Sequence, residues 1–337
     1  MSFINKKHLI KLTILMSLIV FVLFNGITVL AAEEVITFKL GTVLTGDHAY
    51  NLGANKFAKL IEEKTKGKVK IIVYPGGQLG KGERELIEGE QMGVVDLAVS
   101  ATGPLSGFSN LMMVVDLPYL FRDNNHVDRV LDGPIGRKVL DDLEKSGIKG
   151  LAFWENGFRN FTNNARPIYK PEDLKGLKFR TMENPVHMDI VRSLGALATP
   201  MAWGEVYTSM QTGVIDGQEN PVAIIWTQKV YEVQKYLCLD GHVYSPSPLT
   251  MSLAKFNSLS SELQKIFIDC ALEAGQYERS IIRDSEAEQV EAIKKAGLEV
   301  TYPDKTPFLE ATKSVYDKYL TKYPEWKPIV EEILASK

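Results

Sequence analysis

From Ile36 to Val99 the hydrophobic period of the chain switches repeatedly between two and 3.6 residues, and this switching constrains the fold more than any other feature of the sequence. Ile36, Phe38 and Leu40 alternate as in a strand, and Leu52, Phe57, Leu60 and Ile61 follow at helical spacing. Val69, Ile71 and Val73 resume the strand period until Tyr74-Pro75-Gly76-Gly77 stops it. A charged helix from about Lys81 to Met92 then leads into an apolar strand at Val94 to Val99. Strands separated by single helices pair in parallel, so this stretch predicts an α/β layer with ligand sites at its strand ends. After Gly150 the pattern returns, with strands at Leu151 to Trp154, Leu177 to Met182 and Leu197 to Pro200. Helices are expected at Asn184 to Leu194 and through Val206 and Met210, before a further segment at Val214 to Pro221. Two such sets predict an α/β protein of two lobes; one large sheet is the alternative, and a length of 337 residues suits two lobes better.

Ser260 to Lys295 contains no Pro and a single Gly, Gly275, with helical spacing at Leu263, Ile266, Phe267 and Cys270. Ser261 and Gln264 are spaced as a capping box and Gly297 as a stop. As one helix the segment would run roughly 54 Å at 1.5 Å per residue. That exceeds the width of one lobe, so the helix would lie across both as a spine; a break at Gly275 giving two ordinary helices is the other reading. Pro303, Pro307, Pro324 and Pro328 punctuate a tail expected to form short helices.

At the N-terminus Lys6, Lys7 and Lys11 precede an uncharged run from Leu12 to Leu30 and the small residues Ala31 and Ala32. That order predicts a signal peptide, residues 1–31, cleaved near Ala31, and a periplasmic location. The run is nearly long enough for a retained membrane anchor, but Asn25 and Gly26 interrupt it. Cleavage removes three Lys and no acid, taking 39 basic against 42 acidic residues to 36 against 42, a net charge of −6. An acidic chain argues against nucleic acid as a partner, and any anion site must be a local basic pocket. Cys238 and Cys270 both sit among apolar neighbours, where an oxidising compartment permits a disulfide and two buried thiols are equally compatible. The five His are scattered, so neither a metal site nor a cofactor is expected.

The chain has no Gly-x-Ser-x-Gly elbow, Walker loop, dinucleotide fingerprint or His-Glu-x-x-His. Its pointed constellation is Asn156-Gly157-Phe158-Arg159-Asn160, Leu177-Lys178-Phe179-Arg180 and Asp216-Gly217-Gln218-Glu219-Asn220-Pro221. Arg180 ends an apolar strand, where a guanidinium either serves a ligand or pairs with Glu155, Glu183 or Glu219. Arg159, near a Gly turn, carries the same two readings. Two Arg and an Asn converging would make a carboxylate clamp.

The runs Met201-Ala202-Trp203-Gly204-Glu205-Val206-Tyr207, Gln211-Thr212-Gly213-Val214-Ile215-Asp216-Gly217-Gln218-Glu219-Asn220-Pro221 and Lys229-Val230-Tyr231-Glu232-Val233-Gln234-Lys235-Tyr236 resemble the extracytoplasmic solute receptors of TRAP transporters, the DctP type. Pro75-Gly76-Gly77-Gln78-Leu79-Gly80 and Asp116-Leu117-Pro118-Tyr119-Leu120-Phe121 match as well, so the resemblance covers essentially the whole chain after the leader. It implies a periplasmic-binding-protein-like fold: two lobes, hinge strands and a long helix spanning both, closing over a ligand that is delivered to membrane subunits. On that pattern lobe I comprises residues 32–157 with 245–284, and lobe II residues 158–244 with 285–337. Arg180 falls at the family's principal carboxylate-binding Arg, Arg159 at a second ligand-contacting Arg, Asn220 at an amide contact and Trp203 at an aromatic lying against the ligand. Glu183 replaces an Asn found in some members, which detaches this chain from their ligand, sialic acid in particular.

His48 and Glu83 lie on the expected cleft side of lobe I, either as acceptors for ligand hydroxyls or as solvated loop residues. Glu83 and Glu155 with a Trp203 platform suit a sugar acid such as a hexuronate or aldonate. A C4-dicarboxylate is the rival, with Arg159 serving a second carboxylate. A monomeric binding protein is expected, not an enzyme; the competing reading of another class is an exported sugar-acid lyase or isomerase with Glu83 or His48 as base.

Overall fold

Both sets of parallel strands belong to one sheet. A computed structural model of the chain describes residues 35–336, so the expected signal peptide lies outside the described residues. The first set is β1 (Ile36–Gly41), α1 (Ala49–Lys64), β2 (Val69–Tyr74), α2 (Glu83–Met92) and β3 (Leu97–Val99), with β1 parallel to both β2 and β3. After β4 (Ile148–Asn163) the second set follows: β5 (Lys178–Thr181), α3 (Pro185–Ser193), β6 (Leu197–Pro200), α4 (Trp203–Gln211), β7 (Gly217–Asn220) and α5 (Val222–Thr227). Here β5 is parallel to β6 and β7. The chain ends through β8 (Tyr236–Ser252), α6 (Ser261–Lys295), β9 (Glu299–Thr301), α7 (Thr306–Lys322) and a last helix, Lys327–Ala335. Among the described residues the strand order is β2-β1-β3-β8-β4-β7-β5-β6, with β9 on β8.

What joins the two sets is the antiparallel pair β4 and β8, 16 and 17 residues long. One end of β8 pairs with β3 at Leu249 to Met251, and the opposite end of β4 pairs with β7 at Asn160 to Asn163. The expected lobe boundaries, 157/158 and 244/245, fall at facing positions of this pair, Gly157 opposite Ser245 and Phe158 opposite Tyr244. The sequence pattern marked only Leu151 to Trp154 of β4 and none of β8, because Pro246 and Pro248 read as strand breakers. The strand tolerates them because the Pro248 carbonyl accepts from the Ser100 amide, on the β3 side. The missing donor of Pro248, and that of Pro246 two residues earlier, therefore face away from β4, and the β4 ladder loses nothing.

The segment from Ser261 to Lys295 is one helix of 35 residues, about 52 Å long. Its cap is Ser260, one residue before the expected box, accepting from the Leu263 amide at 3.3 Å. Gly275 is no break: a Cβ there would lie 2.6 Å from Cδ1 of Trp154, and one at Gly53 in α1 would lie 2.9 Å from Cζ3 of the same ring. The indole is thus held between two helices that approach closely because each lacks a side chain at the contact, and its Nε1 donates to the Ala271 carbonyl at 2.9 Å.

Separate apolar clusters flank the sheet. Phe38, Leu40, Phe57, Ile61, Phe267 and Cys270 belong to one. Phe267 meets Phe38 and Phe57 edge-on at 5.7 and 5.9 Å, contacts worth about 0.5–1.5 kcal/mol beyond area burial. Phe161, Phe179, Ile190, Cys238 and Tyr319 belong to another, covered by α3 and α7. The two cysteines therefore lie in different clusters, both buried and both free thiols. The tail is more helical than its prolines suggest: Pro307 and Pro328 sit in first turns, where the absent N–H is harmless, and α7 runs 17 residues.

Candidate functional site

Arg180 is the next-to-last residue of the parallel strand β5, whose neighbours Phe179 and Thr181 are buried. Its Nε donates to the Met201 carbonyl at 2.9 Å, which fixes the plane of the guanidinium. Neither Nη has a protein partner among the described residues, and Arg180 forms no ion pair with Glu155, Glu183 or Glu219. The indole of Trp203, first residue of α4, lies beneath it with Cζ 5.6 Å from the ring. Glu83, first residue of α2 in the other strand set, approaches from the opposite wall, its Oε1 accepting the Ala101 amide at 2.8 Å. Between these walls is a cavity of about 190 Å³ lined by Glu83, Arg84, Pro104, Arg180, Glu183 and Trp203. A smaller recess of about 20 Å³ continues inward, adding Tyr50, Asn156, Asn220 and Ile224 to Arg180, Glu83 and Trp203.

Burial, then the neighbouring Arg159, pushes the Arg180 pKa down to about 10, with Glu219, Glu83 and Glu183 opposing. The group stays cationic at neutral pH. Only 4% exposed and without a carboxylate bonded to it, it is a guanidinium whose desolvation no protein anion meets directly. Burial raises the pKa of Glu83 against the Ala101 hydrogen bond and the fields of Arg180 and Arg159.

Arg159 takes the other branch of its two readings. Fully buried, it grips Glu219 through Nε and Nη2, leaving Nη1 without a partner. Glu219 is the centre of a larger network: His242 lies 3.3 Å from it and reaches Asp240 at 2.9 Å, and His187 lies 3.9 Å from it and 3.6 Å from Asp116. Burial alone would raise the Glu219 pKa, but Arg159, the hydrogen bond of His242 and the nearby His187 hold it well below the carboxylate range. In return, and against desolvation, Asp240 and Glu219 bring His242 up to about 9. His187 and His242 looked scattered in sequence; the fold gathers them on one carboxylate.

The remaining expected residues divide. Asn220 lines the inner recess and Glu183 the outer cavity, where it is exposed. Glu155 points to the other face of the sheet and binds Arg283 of α6 at 2.6 Å. His48 caps α1, its Nδ1 accepting the Tyr50 amide at 3.1 Å, and burial lowers its pKa to about 3 despite Asp47. Neither Glu155 nor His48 lines either cavity. Tyr50 and Asn156 do; Tyr50 was not singled out from sequence, and Asn156 appeared only as the first residue of the run that holds Arg159. Between the two strand sets, Gln228 after α5 bonds Thr45 after β1, donating to its hydroxyl at 2.8 Å and accepting its amide at 3.3 Å.

The arrangement is a polar, anion-seeking pocket in which, among the described residues that line it, Arg180 is the one cation without an ion pair and the Trp203 ring lies against it. A family model described as bacterial extracellular solute-binding protein, family 7, matches residues 40–322. The 2,3-diketo-L-gulonate-binding periplasmic protein of Escherichia coli is 36% identical over 306 residues, 90% of this chain and 92% of that protein. A TRAP periplasmic solute-binding protein of Polaromonas, solved bound to D-erythronate, superposes with a TM-score of 0.87 at 40% identity, covering 90% of this chain and 99% of that one. One from Bordetella bronchiseptica, with density interpreted as pantoate, gives 0.87 at 42% identity with the same coverage.

Proposed function

Because this chain belongs to family 7 of the bacterial extracellular solute-binding proteins, with TRAP solute receptors among its relatives, we propose that it captures a hydroxylated monocarboxylate, a sugar acid of the aldonate or uronate kind, and passes it unchanged to TRAP membrane subunits. The observation that carries this reading is Arg180: a buried guanidinium with two free nitrogens directed at a cavity supplies the planar fork a carboxylate matches. Trp203 offers a flat face to the carbon chain, and Glu83 and Asn220 are polar partners for its hydroxyls. The E. coli and Polaromonas relatives bind acids of this kind, 2,3-diketo-L-gulonate and D-erythronate.

The rival, a C4-dicarboxylate, needs a second cation. Arg84 lines the outer cavity but is paired with Glu88, Arg159 already gives its Nε and Nη2 to Glu219, and Glu83 would face the second carboxylate at close range. The clamp therefore consists of Arg180 with Arg159 held behind it as a structural pair, and Glu183 acts at the rim. His48 and Glu155 act on the frame around the pocket. The receptor works as a monomer in the periplasm. Residues 32–157 with 245–284 move against 158–244 with 285–337 about the β4–β8 pair, and closure strengthens the ion pair by removing water.

Calorimetric titration with D-erythronate, 2,3-diketo-L-gulonate, D-glucuronate and succinate tests this. The expected result is sugar-acid binding in the wild type, loss of at least a hundredfold in Arg180→Ala and a large loss in Arg180→Lys, whose ammonium cannot reproduce the fork. Affinity in Arg180→Ala within threefold of wild type would remove the clamp. Binding of succinate alone would move the ligand class to dicarboxylates, and slow conversion of a bound acid, followed by NMR, would make the protein an enzyme.

A further inference from the structure

We infer that Asn156 is a specificity-determining residue, reading a hydroxyl of the bound acid and discriminating against ligands that offer only carboxylate oxygens at that point. The inference rests on the sugar-acid reading above and concerns the inner recess. The register of β4 against β8 shifts between Glu155 opposite Pro246 and Gly157 opposite Ser245, so Asn156 is the extra residue of a bulge. Gly157 completes it at φ 112°, a conformation that side chains disfavour, and a Cβ there would press to 3.2 Å from Cβ of Pro221. Bulges of this kind re-aim a side chain beside a functional site. Here the bulge places Asn156 in the recess while Glu155 keeps to the opposite face with Arg283.

Asn156 is 2% exposed and its Oδ1 has no hydrogen-bond partner. A buried amide oxygen left unpaired is costly, and native proteins rarely keep one. The neighbouring polar groups do not answer it: the Tyr50 hydroxyl is bonded to Ser247 Oγ, and the Asn220 amide donates to Gln218 Oε1. The recess of about 20 Å³ is close to the room one oxygen atom or water needs, far below that of a carboxylate with its chain. What completes the site is therefore a single donor carried on the ligand. A hydroxyl fits. The amide nitrogen, Nδ2, also has no partner among the described residues, so a carboxylate could accept from it; having no proton to give, it would still leave Oδ1 unpaired, whereas a hydroxyl can both donate and accept.

The test is calorimetry of the full chain with D-erythronate and 2,3-diketo-L-gulonate, for wild type, Asn156→Ala and Asn156→Ser, with a crystal structure of the wild-type complex. Loss of one hydrogen bond to a buried group predicts binding weakened about tenfold in Asn156→Ala. Asn156→Ser, which keeps an acceptor oxygen, should recover part of it, and a ligand hydroxyl should lie within hydrogen-bond distance of Asn156 Oδ1. Affinity in Asn156→Ala within twofold of wild type overturns the assignment, as does a complex in which Oδ1 meets no ligand hydroxyl. If Asn156→Ala melts early and Asn156→Ser does not, the serine variant and the complex decide. A wild type that binds succinate but neither sugar acid overturns the ligand class and this assignment together; sugar-acid binding that needs Arg180 but not Asn156 overturns this assignment alone.

Discussion

Glu219 shows how much one buried carboxylate can organise, because Arg159, His187 and His242 all direct donors at it. Glu219→Gln leaves Arg159 and His242 buried without their shared anion, and breaking a buried pair from one side costs about 3–5 kcal/mol. Urea denaturation at neutral pH should show that loss, and calorimetry should show a weaker ligand site because Arg159 stands behind Arg180. The pH dependence has a sign on each side. His242 gains protons on folding, with a pKa near 9 against an ordinary 6.5, so its stabilisation is complete below pH 6.5 and fades as the pH rises to about 9. His48 is the reverse: folded as a neutral ring with a pKa near 3, it stabilises above pH 6.5 and gives that up as the pH falls. His242→Gln should therefore flatten the alkaline limb of the melting-temperature profile between pH 6.5 and 9 relative to wild type. At this scale the sequence made Arg180 legible, since a guanidinium in an apolar strand end needs a reason. It did not separate Glu155 from Asn156, because a bulge in the strand is invisible to a period-two count.

At the scale of elements, α6 was legible as a helix from its spacing, and the open question was Gly275. Gly→Ala in a helix interior normally stabilises by about 1 kcal/mol through propensity. Here the added methyl would fall 2.6 Å from the Trp154 ring, so Gly275→Ala should lower stability by about 1–3 kcal/mol, measurable as a reduced urea midpoint. Pairing it with Trp154→Phe should recover part of the loss. The strand β8 was illegible for a different reason: prolines at alternate positions remove donors from one edge only, a pattern local propensity scores as a break. The thiols settle by packing. Cys238 and Cys270 sit in separate clusters with pKa values raised by burial, the latter to about 11, so neither should react with a thiol reagent in the native state and both should after denaturation.

On the scale of the whole molecule, β4 and β8 belong to both strand sets, so neither set can lose its structure while the other keeps its full ladder. Scanning calorimetry should give one transition with equal calorimetric and van't Hoff enthalpies. Ligand at a hundred times its Kd should add about 2.7 kcal/mol to that transition without splitting it. The sequence announced the two parallel sets but not their union, since the union is made by strand lengths and by pairing across more than eighty residues, as Phe158 with Tyr244. The prolines of β8 bear on what happens outside the folded ensemble. In the folded chain Pro246 and Pro248 are buried, so the edge past Leu249, where β3 pairing stops, is bared only when the chain opens, and an opened edge is where stray chains add and deposits grow. Pro246 and Pro248 strip donors from that edge, so the chain should resist self-association when concentrated, and replacing both with Thr should shorten the lag before it clouds.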